Sequence, residues 1–152
     1  GNHRITAVYG RNPARAEKFA KKYDTKAYID FEEAVCADDV DGVYIATPHT
    51  SHLEYAIKAL ELGIPVLCEK PVAVCAQDAQ RMVKASNENN VYFCEAMWTW
   101  FSQVAKTVKK WVENNEIGEI TNVEIYYSFP GILMSKTSRV LSPETAGGAL
   151  LT

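Results

Sequence analysis

"DGVYIATPHTSHLEYAIKALELGIPVLCEKP", residues 41–71, decides the fold. "DGVYIAT" (41–47) is a short apolar run, the pattern of a strand buried on both faces. "SHLEYAIKALELG" (51–63) sets Leu53, Ala56, Ile57 and Leu60 at helical spacing, and Gly63 closes the helix. "IPVLCE" (64–69) is a second apolar strand. Strand, helix and strand in direct succession make a βαβ unit and therefore a parallel pair. The second strand runs straight into Glu69, Lys70 and Pro71. Opposite charges at that end lie where open α/β sheets bind ligands. A strand entering a solvated turn is the plainer alternative.

The pattern repeats on both sides. Upstream, "RITAVYG" (4–10) reads as a strand with a glycine stop. "NPARAEKFAKKY" (12–23) reads as a helix capped by Asn12, with Pro13 in its first turn and Ala16, Phe19 and Ala20 on one face. "FEEAVC" (31–36) is a shorter helix behind Asp30. Downstream, "AQDAQRMVKASNENN" (76–90) is helical and "VYFCEA" (91–96) is a strand. This alternation predicts an α/β fold over residues 1–98, a Rossmann-type, doubly wound parallel sheet.

Beyond that point the texture changes. "FSQVAKTVKKWVENNEIG" (101–118) predicts a longer amphipathic helix with Val104, Val108, Trp111 and Val112 on one face. "EITNVEIYYSF" (119–129) alternates Ile120, Val123, Ile125 and Tyr127 imperfectly with polar residues. It predicts a strand of a second, mainly antiparallel open sheet. Residues 99–152 are thus expected to begin a second α/β domain, for substrate and oligomerisation.

Composition narrows the function. The 152 residues are 47% hydrophobic and 23% charged, with a formal charge of -3. That mix is ordinary for a globular protein and gives no reason to expect nucleic acid or a membrane as partner. Lys106, Lys109 and Lys110 form the densest basic cluster and read as one solvated helix face. No stretch approaches the ~20 apolar residues of a membrane span. Cys36, Cys68, Cys75 and Cys94 form no C-x-x-C pair, and Cys68 and Cys94 fall in strands expected to be central. This favours a reduced, cytoplasmic setting. His3, His49, His52 and the cysteines lack metal-ligand spacing, so no metal site is expected. The G-x-G-x-x-G turn that usually opens a dinucleotide fold is not in the sequence.

"AVYGRNPARAEKFA", "VYIATPHTSHLEYAIKALELGIPVLCEKP", "EAMWTWF", "IGEI" and "GGALL" follow in this order. So arranged, the chain resembles the glucose–fructose oxidoreductase and inositol dehydrogenase family over residues 4–151. "LCEKP", "EAMWT" and "GGALL" look most like its dihydrodiol dehydrogenase branch. The resemblance implies a chain that starts at the second strand of a cofactor domain and stops early in a second domain. It implies an NAD(P)-dependent dehydrogenase acting on a secondary alcohol of a sugar, polyol or cyclic diol. Homo-oligomers through the C-terminal sheet are implied too. A non-catalytic dinucleotide-sensing regulator of the same fold is the alternative.

The resemblance also assigns residues. Gly10 and Arg11 follow the strand whose end meets the adenosine ribose. An acid there suits ribose hydroxyls, whereas Arg11 suits a 2′-phosphate, so NADP is expected, with NAD the alternative. Thr47 and Pro48 are expected beneath the cofactor, with His52 at the matching histidine of T-P-x-x-x-H. Glu69 is implied at the nicotinamide-side ribose and Lys70 beside the substrate hydroxyl. Alcohol oxidation needs a proton acceptor as hydride leaves, and a lysine amine can serve. Glu95 and Trp98 are implied near nicotinamide and substrate. Relatives carry Arg where this chain has Trp100, and Asp where it has Thr152.

Overall fold

The structure, a computed structural model, describes residues 3–126, 128, 138 and 141–148. The chain divides into two compact units, Gly1–Ala96 and Met97–Thr152.

In the first unit, strands and helices alternate: β1 (Ala7–Tyr9), α1 (Pro13–Tyr23), β2 (Lys26–Tyr28), α2 (Phe31–Val35), β3 (Val43–Ile45), α3 (His52–Glu61), β4 (Val66–Glu69), α4 (Ala76–Asn89) and β5 (Phe93–Ala96). All strand pairs are parallel. β1 pairs with β2, and β3, β4 and β5 form a three-stranded sheet in that order. β2 was not expected from the sequence. Three residues, Lys-Ala-Tyr, are too few to show a period, and their pairing with Ala7–Tyr9 creates the strand. Cys68 lies on the central strand β4, but Cys94 lies on β5, an edge of its sheet rather than its centre.

Local chemistry sets the helix limits. The Asn12 side chain accepts the Arg15 N–H at 3.1 Å and Pro13 opens α1, as the cap pattern requires. Asp30 accepts the Glu33 N–H at 2.9 Å and caps α2. Beyond α3, Gly63 takes φ +78, a conformation glycine adopts without steric cost. At the start of β3, a Cβ on Gly42 would sit 3.2 Å from the Pro65 carbonyl oxygen, so close pairing with β4 favours glycine.

The core lies where α3 and α4 cover one face of the three-stranded sheet. Ile45, Val66 and Cys68 pack there with Ala56, Ala59, Leu60 and Met82. Burying a side chain the size of Leu60 or Met82 contributes about 1.5–3 kcal/mol. Tyr9, Phe31 and Tyr55 extend the core as an aromatic group with centroids 4.8–5.5 Å apart. The opposite sheet face carries Tyr44 and Leu67, both exposed. Phe19, expected on the apolar face of α1, is largely exposed and stacks on Tyr23 at 4.6 Å.

The second unit is described by α5 (Gln103–Glu113), with short 3₁₀ turns at Trp98–Phe101 and Pro143–Thr145. Ser102 accepts the Ala105 N–H at 3.1 Å and starts α5 later than expected. Asn115 at φ 57 and Gly118 at φ 72 follow its end. Residues 119–126 form no strand, contrary to the alternation read there. Those residues are exposed and pair with no other strand among the described residues, and alternation alone does not make a strand. The remainder of that expectation at Tyr127 and Phe129, and most of "GGALL", lie outside the described residues. No helix among the described residues is long and apolar enough to cross a membrane.

Candidate active site

At the C-terminal ends of β3, β4 and β5, Glu69 and Glu95 stand within the last residues of their strands, and Thr47 and Lys70 on the segments that leave the sheet. Parallel register fixes this: Ile45 pairs with Cys68, and Cys68 with Glu95. Strands in register end together, so chemistry placed after each converges at one edge.

Backbone groups around Lys70 are held at three successive residues. Its own N–H donates to Glu69 Oε2 at 3.1 Å. The Pro71 carbonyl oxygen lies 3.0 Å from His52 Nδ1. The Val72 N–H donates to Glu95 Oε1 at 2.8 Å. The Lys70–Pro71 bond is cis. Lys70 thus projects from a backbone whose course is fixed by a carboxylate on each side and an imidazole between.

His52 has 0% exposure, and its Nε2 lies 2.9 Å from the Thr47 carbonyl oxygen. Its ring joins the turn after β3 to the turn after β4. The sequence leaves His52 open between shaping the turn and touching the ligand; its burial, with a backbone carbonyl beside each ring nitrogen, supports the first role. Ser51 makes no side-chain cap to α3; its hydroxyl donates to the Pro48 carbonyl at 2.8 Å instead.

β1 and β3 do not pair, and the described residues leave an open gap between them. This gap is lined by Gly10, Arg11, Thr47 and Pro48, among others. Arg11 is exposed, as an arm for an anion requires. The Thr47 hydroxyl is buried with no hydrogen-bond partner, so it can serve a bound polar group. A Cβ on Gly10 would meet the Ala16 Cβ at 3.5 Å, an ordinary contact, so the fold itself does not demand glycine there. Glu69, Lys70 and Glu95 do not line this gap. Trp98 belongs to the second unit and is 70% exposed.

Tyr44 was missed in the sequence. Its hydroxyl donates to Glu69 Oε1, and it also lines the gap with Arg11 and Thr47. The bond to Glu69, with burial and the carboxylate's charge, pushes the Tyr44 hydroxyl up to about 12. The signal was the period of two: Tyr44 opposes Leu67, and Glu69 stands two residues on along the same face. Reading 41–47 as uniformly buried absorbed the tyrosine into the apolar run. Below the site, burial, followed by the charges of Glu95 and Glu69, pushes the Cys68 thiol up to about 12.

Residues 1–96 match the family described as "Oxidoreductase family, NAD-binding Rossmann fold". The chain belongs to this family. A bovine (Bos taurus) trans-1,2-dihydrobenzene-1,2-diol dehydrogenase is 33% identical over 150 residues, covering 98% of this chain and 44% of the relative. A D-xylose 1-dehydrogenase (NADP(+)) of Hypocrea jecorina is 31% identical over 161 residues, covering 98% of this chain and 41% of that protein. The crystal structure of an NAD binding oxidoreductase from Klebsiella pneumoniae aligns with TM-score 0.68 and 32% identity, covering 76% of this chain and 31% of that one. The family and diol-dehydrogenase resemblance read from "LCEKP" and "EAMWT" is therefore borne out. The chain spans less than half the length of these relatives.

Proposed function

We propose that this oxidoreductase-family chain carries the cofactor side of an NADP-dependent dehydrogenase. The enzyme moves hydride between nicotinamide C4 and a secondary alcohol carbon of a sugar, polyol or cyclic diol. The observation that carries the reading is the triply held backbone around Lys70, at the sheet edge where parallel strands end. A proton-transfer group must be held within reach of its partner, and a fixed backbone reduces the conformations its side chain must lose.

When bound, the nicotinamide supplies the hydride acceptor or donor. Lys70 takes the alcohol proton as hydride leaves, and returns it in the reverse direction. Glu69 binds the nicotinamide-side ribose, and Glu95 holds the loop beyond Lys70 on the substrate side. Thr47 offers its unpartnered hydroxyl beside Pro48. Arg11 reads the 2′-phosphate with its planar, permanently charged fork. One relative carries NADP(+) in its name and another NAD, which supports a nicotinamide dinucleotide and leaves the choice to Arg11. Diol and sugar dehydrogenases among the relatives support a small hydroxylated substrate. Homo-oligomers through a C-terminal sheet and a cytoplasmic setting belong to the same reading, which the four free cysteines support.

Lys70→Met in the full protein tests it. The expected result is turnover lowered by ~100-fold or more with NADPH affinity kept within a few-fold. Undiminished turnover removes Lys70 from the mechanism.

A further inference from the structure

We propose that Tyr44 is a positioning residue for the cofactor: it clamps the Glu69 carboxylate in the orientation that receives the ribose hydroxyls. The inference rests on the reading of Glu69 as a ribose acceptor.

A carboxylate offers about four lone-pair sites. Here each oxygen already has one partner within the protein. Oε1 accepts from the Tyr44 hydroxyl across the strand pair, and Oε2 accepts from the Lys70 N–H. The two bonds come from opposite ends of the carboxylate and fix its plane, and each oxygen has lone-pair capacity beyond that one bond. Two adjacent acceptor oxygens on a fixed plane match the two neighbouring hydroxyls of a ribose. With the Lys70 N–H alone, the Glu69 side chain can turn about its last torsion, which is broad for a glutamate. The second bond removes that freedom before a ligand arrives, and preorganisation of this kind raises affinity.

Tyr44 is suited to the task. Its ring is 55% exposed, outside the cluster packed by α3 and α4. It sits on the face that carries Glu69 and borders the gap shared by Arg11, Thr47 and Pro48. A phenylalanine would keep the shape and lose the clamp. The hydroxyl also keeps its proton throughout the neutral range, so it remains a donor to the carboxylate.

The test is a double-mutant cycle on the full protein, with NADPH affinity as the readout. Tyr44→Phe, Glu69→Gln and the double variant are titrated, and their melting temperatures are recorded. Y44F is expected to weaken NADPH binding by about five- to tenfold, the scale of one hydrogen bond's net contribution. Its melting temperature should stay near that of the parent. In the E69Q background, Y44F should cost clearly less than in the parent, since Tyr44 then holds a neutral amide oxygen rather than the carboxylate. Two results overturn the proposal and leave the Glu69 reading standing: E69Q weakens binding while Y44F does not, or the two losses simply add. If E69Q binds NADPH as the parent does, the Glu69 reading fails and the proposal falls with it.

Discussion

Among the described residues, the helices of the two units differ in what they bury. In Gly1–Ala96, helices α3 and α4 bury Ala56, Ala59, Leu60 and Met82 against β3 and β4. In Met97–Thr152, α5 has a clear apolar face, yet Val104, Val108, Trp111 and Val112 all remain exposed. None of the described residues of that unit is buried. An amphipathic pattern is therefore a statement about a helix, not about its partner. In the first unit the parallel strands supply the partner surface, and the same strands deliver Glu69, Lys70 and Glu95 to one edge. Core and site are two products of one register.

The packing on the first unit's side of this contrast can be attacked most sharply through the thiols. Cys68 is fully buried on β4, with its thiol pushed up to about 12, whereas Cys36 and Cys75 are exposed. The thiolate is the reactive form, so the buried Cys68 should react with a thiol reagent far more slowly than Cys36 or Cys75. A time course with a chromogenic disulfide should show Cys36 and Cys75 reacting promptly and Cys68 only on unfolding. Prompt modification of Cys68 would mean that the sheet opens readily and that the core is not as packed as described.

A smaller effect tests the same contrast by truncation. Leu60→Ala should lower unfolding free energy by about 2–5 kcal/mol, because a fully buried leucine leaves a cavity. Val108→Ala, on the exposed face of α5, should shift it by about 0.5 kcal/mol or less. Denaturant titration of the two variants measures both. A large loss for Val108→Ala would show that this face is covered in the folded protein.

Much of the first unit was legible because its signals were redundant. The run from Asp41 to Pro71 combined apolar strands, helical spacing and a glycine stop, and each agreed with the others. Asn12 and Asp30 announced their helices because a capping side chain acts on its own neighbours. β2 was not legible, since a three-residue strand exists through its pairing with β1. The segment 119–126 failed in the other direction: its alternation was present, but no neighbouring strand accompanies it among the described residues.

The site divides along the same line. Glu69 and Lys70 stood out as charges ending an apolar run. Most of the bonds that hold them did not, because they reach across the fold: Tyr44 to Glu69 spans 25 positions and Val72 to Glu95 spans 23. His52 was noticed for its type, but whether it touches a ligand or braces turns depended on its burial. Local sequence names candidates, and strand register assigns them their partners.

The central claim is that the C-terminal edge of the parallel sheet is a nicotinamide dinucleotide site whose choice is made at Arg11. The most direct measurement is a fluorescence titration of the full protein with NADPH and with NADH, at one salt concentration. The account predicts tight NADPH binding and much weaker NADH binding, with the preference lost in Arg11→Ala. Binding of neither dinucleotide would contradict it, leaving a family fold without the family's cofactor.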